Sequence, residues 1–321
     1  MSVTGVQVEG ARGARLPVRG ARLPVQGARL PVQGAPRPVR AALGRWAGLF
    51  PFFLFALAFM ILPAGTLLIG SFQDACGGFT LVNLAHLFRP NILHSYLLTV
   101  EVSLVTAFGG GLFGFLIAYA VTMGGLPRGV RSFLLTFSGV ASNFAGVPLA
   151  FAFIATLGRV GMITTLLKTL FGISLYDAGF NLYSFWGLSF TYLYFQLPLM
   201  VLVIVPALDG MKKEWREASE NLGAGRRHYW RHVALPILMP SILSSVILLF
   251  GNAFGAYATA YALTGGFINL VPIQIGAQIR GDVLHDPNLG YALALGMVVI
   301  MTLTILGYTA LQRRAARFTR T

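Results

Sequence analysis

Few residues in this chain of 321 could do chemistry on a substrate or bind a metal. Among its five histidines, His228 and His232 stand at i and i+4, which places both imidazoles on one face of a helix. A zinc site needs further protein ligands, and the neighbouring sequence offers no suitable one. The single cysteine, Cys76, cannot form a disulfide within the chain. The sequence therefore predicts no catalytic residue, no metal site and no cofactor.

The composition is that of a protein in lipid. Hydrophobic residues make up 56% of the chain and charged residues only 11%, whereas soluble domains carry about 25% charged residues. A net charge of +14 would suggest nucleic acid as the partner of a soluble protein. Here the basic residues cluster between apolar runs, which is typical of a membrane protein with a cationic cytoplasmic face. We therefore expect the chain to lie in a lipid bilayer and not to bind nucleic acid.

Six apolar stretches are long enough to cross a bilayer, which takes about twenty residues per helix. They lie at about 47–71, 96–122, 132–157, 183–208, 240–264 and 289–311. These stretches predict an all-α integral membrane protein with six transmembrane helices. The third and fifth are interrupted by small and polar residues, "SGVASNFAGVP" and "GNAFGAYATAY". Small residues let helices approach closely, so we expect these two stretches to face protein rather than lipid.

Lys and Arg are distributed unevenly over the segments between these spans. Eight lie in the amino-terminal tail, two in the second loop, six in the fourth loop and four in the carboxyl-terminal tail. These segments share one side of the membrane, and the other side holds only four. Positive charge marks the cytoplasmic side, so both termini are predicted to be cytoplasmic.

Three regions follow from this layout. Residues 1–45 form a basic tail with a seven-residue repeat, and the proline in every unit predicts disorder rather than a coiled coil. This tail either contacts anionic lipid headgroups or is a dispensable extension. Residues 46–312 form the six-helix transmembrane domain, and residues 313–321 form a second basic tail.

The most polar stretch of the second half, "EASENLGAGRRHYWRHVALP", lies in the cytoplasmic loop at about 210–236. Asp209 is placed to cap a first short helix, and Gly223 is placed to end it. A second short helix is expected to reach Pro236, with Pro240 starting the next span. Composition alone leaves two alternatives, a knob that fits a groove on a partner or a hairpin that lies on the lipid interface.

The spacing within this stretch resembles the EAA motif of ABC-importer permeases, in which E-A-A is followed by three residues, G, nine residues, I, one residue and L-P. The matching positions are Glu217, Ala218, Ser219, Gly223, Val233, Leu235 and Pro236. The chain departs from the pattern at Ser219 and Val233, both small changes. The motif's place before the penultimate span also matches the family, and the resemblance covers roughly residues 46–312.

The resemblance implies a type I importer fold and the permease subunit of an ATP-driven, binding-protein-dependent importer in the bacterial cytoplasmic (inner) membrane. In that family the hairpin is a coupling helix seated in the ATPase, so the seven motif residues are implied to couple the two subunits. The implied partners are an ATP-binding ABC subunit, a second permease copy or paralogue, and an extracytoplasmic solute-binding protein. The chain has no G-x-x-x-x-G-K-[ST] motif, as expected if another subunit handles ATP.

Polar residues within spans are costly in lipid and usually face the bundle interior or a water-filled path. The candidates for a translocation path are Ser142, Asn143, Gln196, Asn252, Tyr257 and Thr259. Alternatively, each makes an interhelical hydrogen bond that holds the bundle together. No cluster of charges within the spans identifies the solute. The resemblance is nearest to the branch that moves polyamines, thiamine, iron and phosphonates, and within it we favour a polyamine.

The alternative function is a self-contained secondary transporter or channel, which the polar residues and glycines within the spans would suit. Such folds often carry inverted repeats with broken helices in matching positions. The two halves of this chain show no convincing match.

Overall fold

The computed structural model describes residues 49–280 and 285–318, with side chains described as far as residue 310. The chain divides into two compact units, Met1–Phe55 and Ala56–Thr321, and only residues 49–55 of the first are described. The repeat tail predicted at 1–45 lies outside the described residues. At the other end, the backbone is helical as far as Phe318, so the first part of the predicted tail at 313–321 continues the last helix.

The described residues form an all-helical structure, apart from an isolated β-bridge between Gln73 and Phe79. Two helices contain a wider π-helical turn, at Leu57–Ile61 in α1 and at Trp230–Ala234 in α9. In chain order the helices are α1 (Phe50–Gly70), α2 (Val82–His86), α3 (Pro90–Met123), α4 (Arg128–Asn143), α5 (Val147–Leu157), α6 (Met162–Phe171), α7 (Phe185–Asp209), α8 (Lys213–Asn221), α9 (Arg226–Phe254), α10 (Tyr257–Thr264), α11 (Val271–Arg280) and α12 (Pro287–Phe318).

Six helical stretches among the described residues are long and apolar enough to cross a membrane, which confirms the predicted number of spans. They are Phe50–Gly70, Pro90–Met123, Val147–Phe171, Phe185–Asp209, Arg226–Phe254 and Pro287–Ala310. The third lies downstream of the predicted 132–157. The difference arises because α4 is amphipathic, with two arginines and several hydroxyls, whereas α5 is almost wholly apolar.

The core of the bundle is the close crossing of α3 and α7, which α9 joins along both helices. Glycines on α3 make this approach possible. A Cβ at Gly110 would lie 2.7 Å from the Cβ of Gln196, and a Cβ at Gly114 would lie 2.6 Å from the Cβ of Met200. Since real Cβ atoms do not approach so closely, any larger residue at these two positions would push the helices apart.

The third and fifth predicted stretches are each broken within the bundle, and the two breaks lie against each other. We call them the paired breaks, Phe144–Gly146 between α4 and α5 and Gly255–Ala256 between α9 and α10. The amide of Gly146 donates to the hydroxyl of Thr259 at 2.7 Å, and the Tyr192 hydroxyl donates to the carbonyl of Ala256 at 2.7 Å. These bonds satisfy backbone groups that the interrupted helices leave free, as a low-dielectric interior requires.

Gly146 is the residue that makes the first of these breaks. Its backbone has φ 75° and ψ −148°, a region that only glycine adopts readily. Leu149, Ala150 and Ala260 beside the breaks are fully buried, whereas Val147 and Tyr261 are exposed. The two interrupted stretches, which we expected to face protein, therefore do so only in part within the single subunit.

Candidate functional site

The hairpin (residues 210–236) consists of α8, a tight turn and the first turns of α9. Gly223 adopts φ 77°, a left-handed conformation that favours glycine. Its amide donates to the carbonyl of Glu220 at 2.9 Å, and the Ala224 amide donates to the carbonyl of Ser219 at 3.0 Å. This double closure ends the helix as the sequence predicts.

Asp209 does not cap α8. It is the last residue of α7, and its two carboxylate oxygens accept hydrogen bonds from Nη2 of Arg131 at 2.8 and 2.6 Å. The amino-terminal cap of α8 is Lys212, whose side chain makes no capping hydrogen bond. Asp209 therefore joins the ends of α4 and α7, and it lies three residues before the cap of α8.

The second half of the hairpin does not stop at Pro236 either. One continuous helix, α9, begins at Arg226 and reaches Phe254, so the hairpin and the fifth span share it. A proline ring clashes with the carbonyl four residues before it, here that of His232. His232 lies in the π turn Trp230–Ala234, and this wider turn gives the ring room. The predicted separate helix ending at Pro236 and the predicted helix start at Pro240 are therefore wrong.

Five of the seven motif residues are exposed in the single subunit. Glu217, Ala218 and Gly223 are exposed, and Ser219 is buried. Val233 is half-buried, whereas Leu235 and Pro236 are exposed. The side chain beside the turn, Leu222, is 87% exposed. The hairpin thus presents a small, apolar and acidic surface that nothing in the described part of the chain covers.

The base of the hairpin is attached to the end of α3. The Arg226 guanidinium donates to the Tyr119 hydroxyl at 3.0 Å, and the Tyr119 and Trp230 rings meet edge to face at 5.1 Å. Within α8, Arg216 and Glu220 form an ion pair at 2.8 Å, and this hydrogen bond raises the pKa of the Arg216 guanidinium. Sequence reasoning did not find Tyr119, because one tyrosine near the end of a span does not indicate which loop it contacts.

The six path candidates are not gathered at one place. Gln196 is fully buried and its amide donates to the Leu249 carbonyl at 2.8 Å, while Thr259 accepts from Gly146 at the paired breaks. Gln196 and Thr259 thus each make an interhelical hydrogen bond that holds the bundle together, which is the alternative to a place on the translocation path. The amide of Asn143 donates to the Gly139 carbonyl of its own helix at 2.8 Å.

The remaining candidates are less enclosed. The Ser142 hydroxyl donates to the Gly139 carbonyl at 3.1 Å, and Asn252, like Asn143, is exposed in the single subunit. The Tyr257 ring stacks on that of Tyr261 at 5.5 Å and lies 5.8 Å from the Arg280 guanidinium.

The two histidines of the hairpin do share one helix face, as their spacing predicts. The rings of His228 and His232 stack with centroids 4.0 Å apart. Within the residues that the structure describes, no group of three His, Cys, Asp or Glu side chains could hold a metal ion.

Comparison with known proteins places this arrangement in a family. The chain is 28% identical over 261 residues to a probable sulfate transport system permease, cysT of Nephroselmis olivacea, covering 79% of this chain and 84% of the relative. It is 27% identical over 194 residues to the molybdenum transport system permease ModB of Mycobacterium tuberculosis, covering 60% and 68%. The spermidine/putrescine permease PotC of Escherichia coli K12 matches over 119 residues at 25% identity, covering 37% and 45%.

Solved structures share the fold. A bacterial ABC transporter that imports the acidic polysaccharide alginate contains a chain with a TM-score of 0.70 and 15% identity, covering 86% of this chain and 97% of that one. Residues 110–317, well over half of the chain and including the whole hairpin, match the family described as binding-protein-dependent transport system inner membrane component. The chain therefore belongs to that family, and it is a multi-pass inner membrane permease subunit of an ABC importer rather than an enzyme or a self-contained transporter.

Proposed function

We propose that the hairpin seats in a cleft of a separate ATPase subunit and passes the movement of that subunit to the membrane helices. The observation that carries this proposal is the exposure of the motif residues around a glycine turn. Glu217 and Ala218 lie beside Leu222, which is 87% exposed. A small apolar knob with an adjacent carboxylate suits a partner groove that offers apolar surface and a basic group.

The continuity of α9 supports the second part of the proposal. Since Arg226–Phe254 is one helix, displacement of the hairpin moves the end of the fifth span directly. At the far end of α9 lie the paired breaks, where α10 begins. A displacement of the hairpin is therefore transmitted along α9 to the paired breaks, where the helices are already interrupted.

The test is co-purification of the permease with its ATPase. Truncating one partner of a buried charge pair costs about 2–5 kcal/mol, so Glu217→Lys should weaken the complex more than about tenfold and abolish solute-dependent ATP hydrolysis. Glu214→Lys is the matched control, because Glu214 is exposed on the same helix and outside the motif. An intact complex with Glu217→Lys, or equal loss with both variants, would contradict the proposal.

The complete importer is proposed to contain two permease subunits, either two copies or this chain and a paralogue, with an extracytoplasmic binding protein that delivers the solute. Asn252 is exposed within the fifth span and Asn143 is exposed at the end of α4, just before the third span. Their exposure supports a second subunit, because lipid solvates amide side chains poorly. These two residues remain candidates for the translocation path. The mass of the purified complex, and covalent crosslinking through cysteines at 143 and 252, test this arrangement.

For the solute, the sequence favours a polyamine, and the partial match to a spermidine/putrescine permease supports it. A cavity at α2, α11 and the start of α12 favours an oxyanion instead. Of its described lining residues, His86, Arg89 and His285 are basic and Asp286 is acidic. Relatives named for sulfate and molybdenum match more of the chain. Uptake of labelled spermidine, sulfate and molybdate by the reconstituted importer distinguishes the two candidates.

A further inference from the structure

A cavity of about 480 Å³ lies between the hairpin and the nearby end of α3. Tyr119 and Met123 of α3 form one wall, and the hairpin residues from Met211 to Trp230 supply the other. The exposed turn with Leu222 is not part of this lining. The hairpin therefore presents its turn to a partner and its other side to the end of the span, and Glu217 borders both surfaces.

The cavity is cationic. Its charged lining residues are Lys212, Lys213, Arg216, Glu217, Glu220 and Arg226. The Arg216–Glu220 ion pair removes one charge of each sign. Three cations then remain against Glu217, and none of the three forms an ion pair within the described part of the chain. The cavity thus favours an anion.

Arg226 is held in a position to bind one. Its guanidinium donates to the Tyr119 hydroxyl at 3.0 Å, which fixes the group but uses only one of its several N–H donors. The remaining donors form the planar fork that suits phosphate oxygens. Lys212 and Lys213, at the start of α8, add two further positive charges.

An apolar stripe on α3 leads into the cavity. Leu112, Leu116 and Met123 are 59%, 51% and 43% exposed, and with Tyr119 they follow the spacing of one helix face. Tyr119 and Trp230 lie where the stripe meets the charged residues, and aromatic side chains of this kind occur at the headgroup level of membranes. An acyl chain fits the stripe, and a phosphate fits its end.

We propose that this cavity binds the phosphate headgroup of an anionic phospholipid, with an acyl chain lying along Leu112, Leu116 and Met123. The lipid joins the hairpin to the second span through Arg226 and the two lysines. Glu217 lines this cavity and also belongs to the surface proposed for the ATPase, but lipid binding is measured on the permease alone, without the ATPase.

The experiment uses the full-length chain in nanodiscs of phosphatidylcholine with a minor fraction of phosphatidylglycerol, and counts the phosphatidylglycerol retained by native mass spectrometry. One basic residue near an anionic surface changes binding by about fivefold, so Arg226→Gln and Lys213→Gln should each lower retention by that amount. Arg226→Lys should keep most of it. Arg227→Gln is the matched control, because Arg227 is exposed and adjacent but does not line the cavity.

Retention that is unchanged in both Arg226→Gln and Lys213→Gln, or lowered equally by Arg227→Gln, would overturn the proposal. Lys213 is exposed at the first turn of α8, so its variant reports on binding even if Arg226→Gln unfolds the hairpin. Inorganic phosphate at millimolar concentration should not displace the lipid. Displacement would show that the cavity takes a soluble anion and would overturn the assignment to phospholipid.

Discussion

The hairpin and the paired breaks both contain a glycine between two consecutive helices. The glycine of the hairpin is exposed, whereas the paired breaks are bonded within the bundle. A Cβ at Gly223 would have no atom within 4 Å, and the neighbouring Leu222 is 87% exposed. At the paired breaks, Gly146 bonds to Thr259, and Ala256 bonds to Tyr192. The hairpin leaves its apolar surface for another subunit, whereas the breaks satisfy themselves within the bundle. The surroundings, and not the glycine itself, decide whether such a joint binds a partner or holds the fold.

The largest difference between the two regions is expected from their glycines. Gly146→Ala forces a side chain into a backbone region that costs about 1–3 kcal/mol, and it should lower the thermal unfolding midpoint of the purified chain by several degrees. Gly223→Ala, in the milder left-handed region, should cost about 1 kcal/mol and leave the bundle folded. A larger drop for Gly223→Ala would reverse the comparison.

Tyr192→Phe should have the next largest effect. The variant removes the donor to the Ala256 carbonyl while keeping the ring, and interhelical hydrogen bonds in membranes contribute up to about 1.7 kcal/mol. The unfolding midpoint checks this. Tyr194→Phe is the control two residues away, since its ring packs against Phe144 and Phe153 without a hydroxyl bond in the described structure. Equal shifts for the two variants would contradict the role of the Tyr192 bond.

Thr259→Val should destabilise the chain by about 0.6 kcal/mol, the average for an interhelical hydrogen bond in a membrane protein. The shape is kept, but the Gly146 amide loses its acceptor. Thr259→Ser restores the hydroxyl and should recover most of the loss in the same unfolding measurement. If the serine variant is the less stable of the two, packing of the methyl group outweighs the bond.

Leu222→Ala should have the smallest effect on stability, because the side chain is almost fully exposed. It should change the free energy of unfolding by less than about 0.5 kcal/mol. Its effect should appear instead as weaker retention of the ATPase on affinity resin. A variant that is destabilised, but still binds the ATPase as tightly as the wild type, would show that Leu222 serves the hairpin rather than the partner.

Much of the helical layout follows from the sequence because lipid imposes a simple rule of length and polarity on each span. The number of spans is as predicted, although the third lies downstream of the predicted stretch, and Gly223 ends α8 as predicted. The hairpin's continuity with the fifth span was not predictable, because Pro236 and Pro240 ordinarily end a helix. The π turn Trp230–Ala234 that admits Pro236 has no sequence pattern of its own.

The roles of polar residues were harder to predict, because each depends on a contact distant in sequence. Gln196 and Thr259 bond across helices, with partners 53 and 113 residues away. Asp209 pairs with Arg131, 78 residues earlier, although its local position suggested a cap. The bond from Tyr192 to Ala256 is of the same kind. Local patterns identify these residues as polar groups in need of partners, but the fold supplies the partner.

The crossing of α3 and α7 at Gly110 and Gly114 limits how the bundle can move. With the Cβ atoms of Gln196 and Met200 set against bare backbone, sliding either helix lengthwise would drive bulkier neighbours into the gaps that only glycine leaves. We therefore expect the two helices to move as one rigid unit during transport. We expect the other helices to slide and tilt against the outer surfaces of this pair, where longer side chains can change rotamer and absorb the displacement.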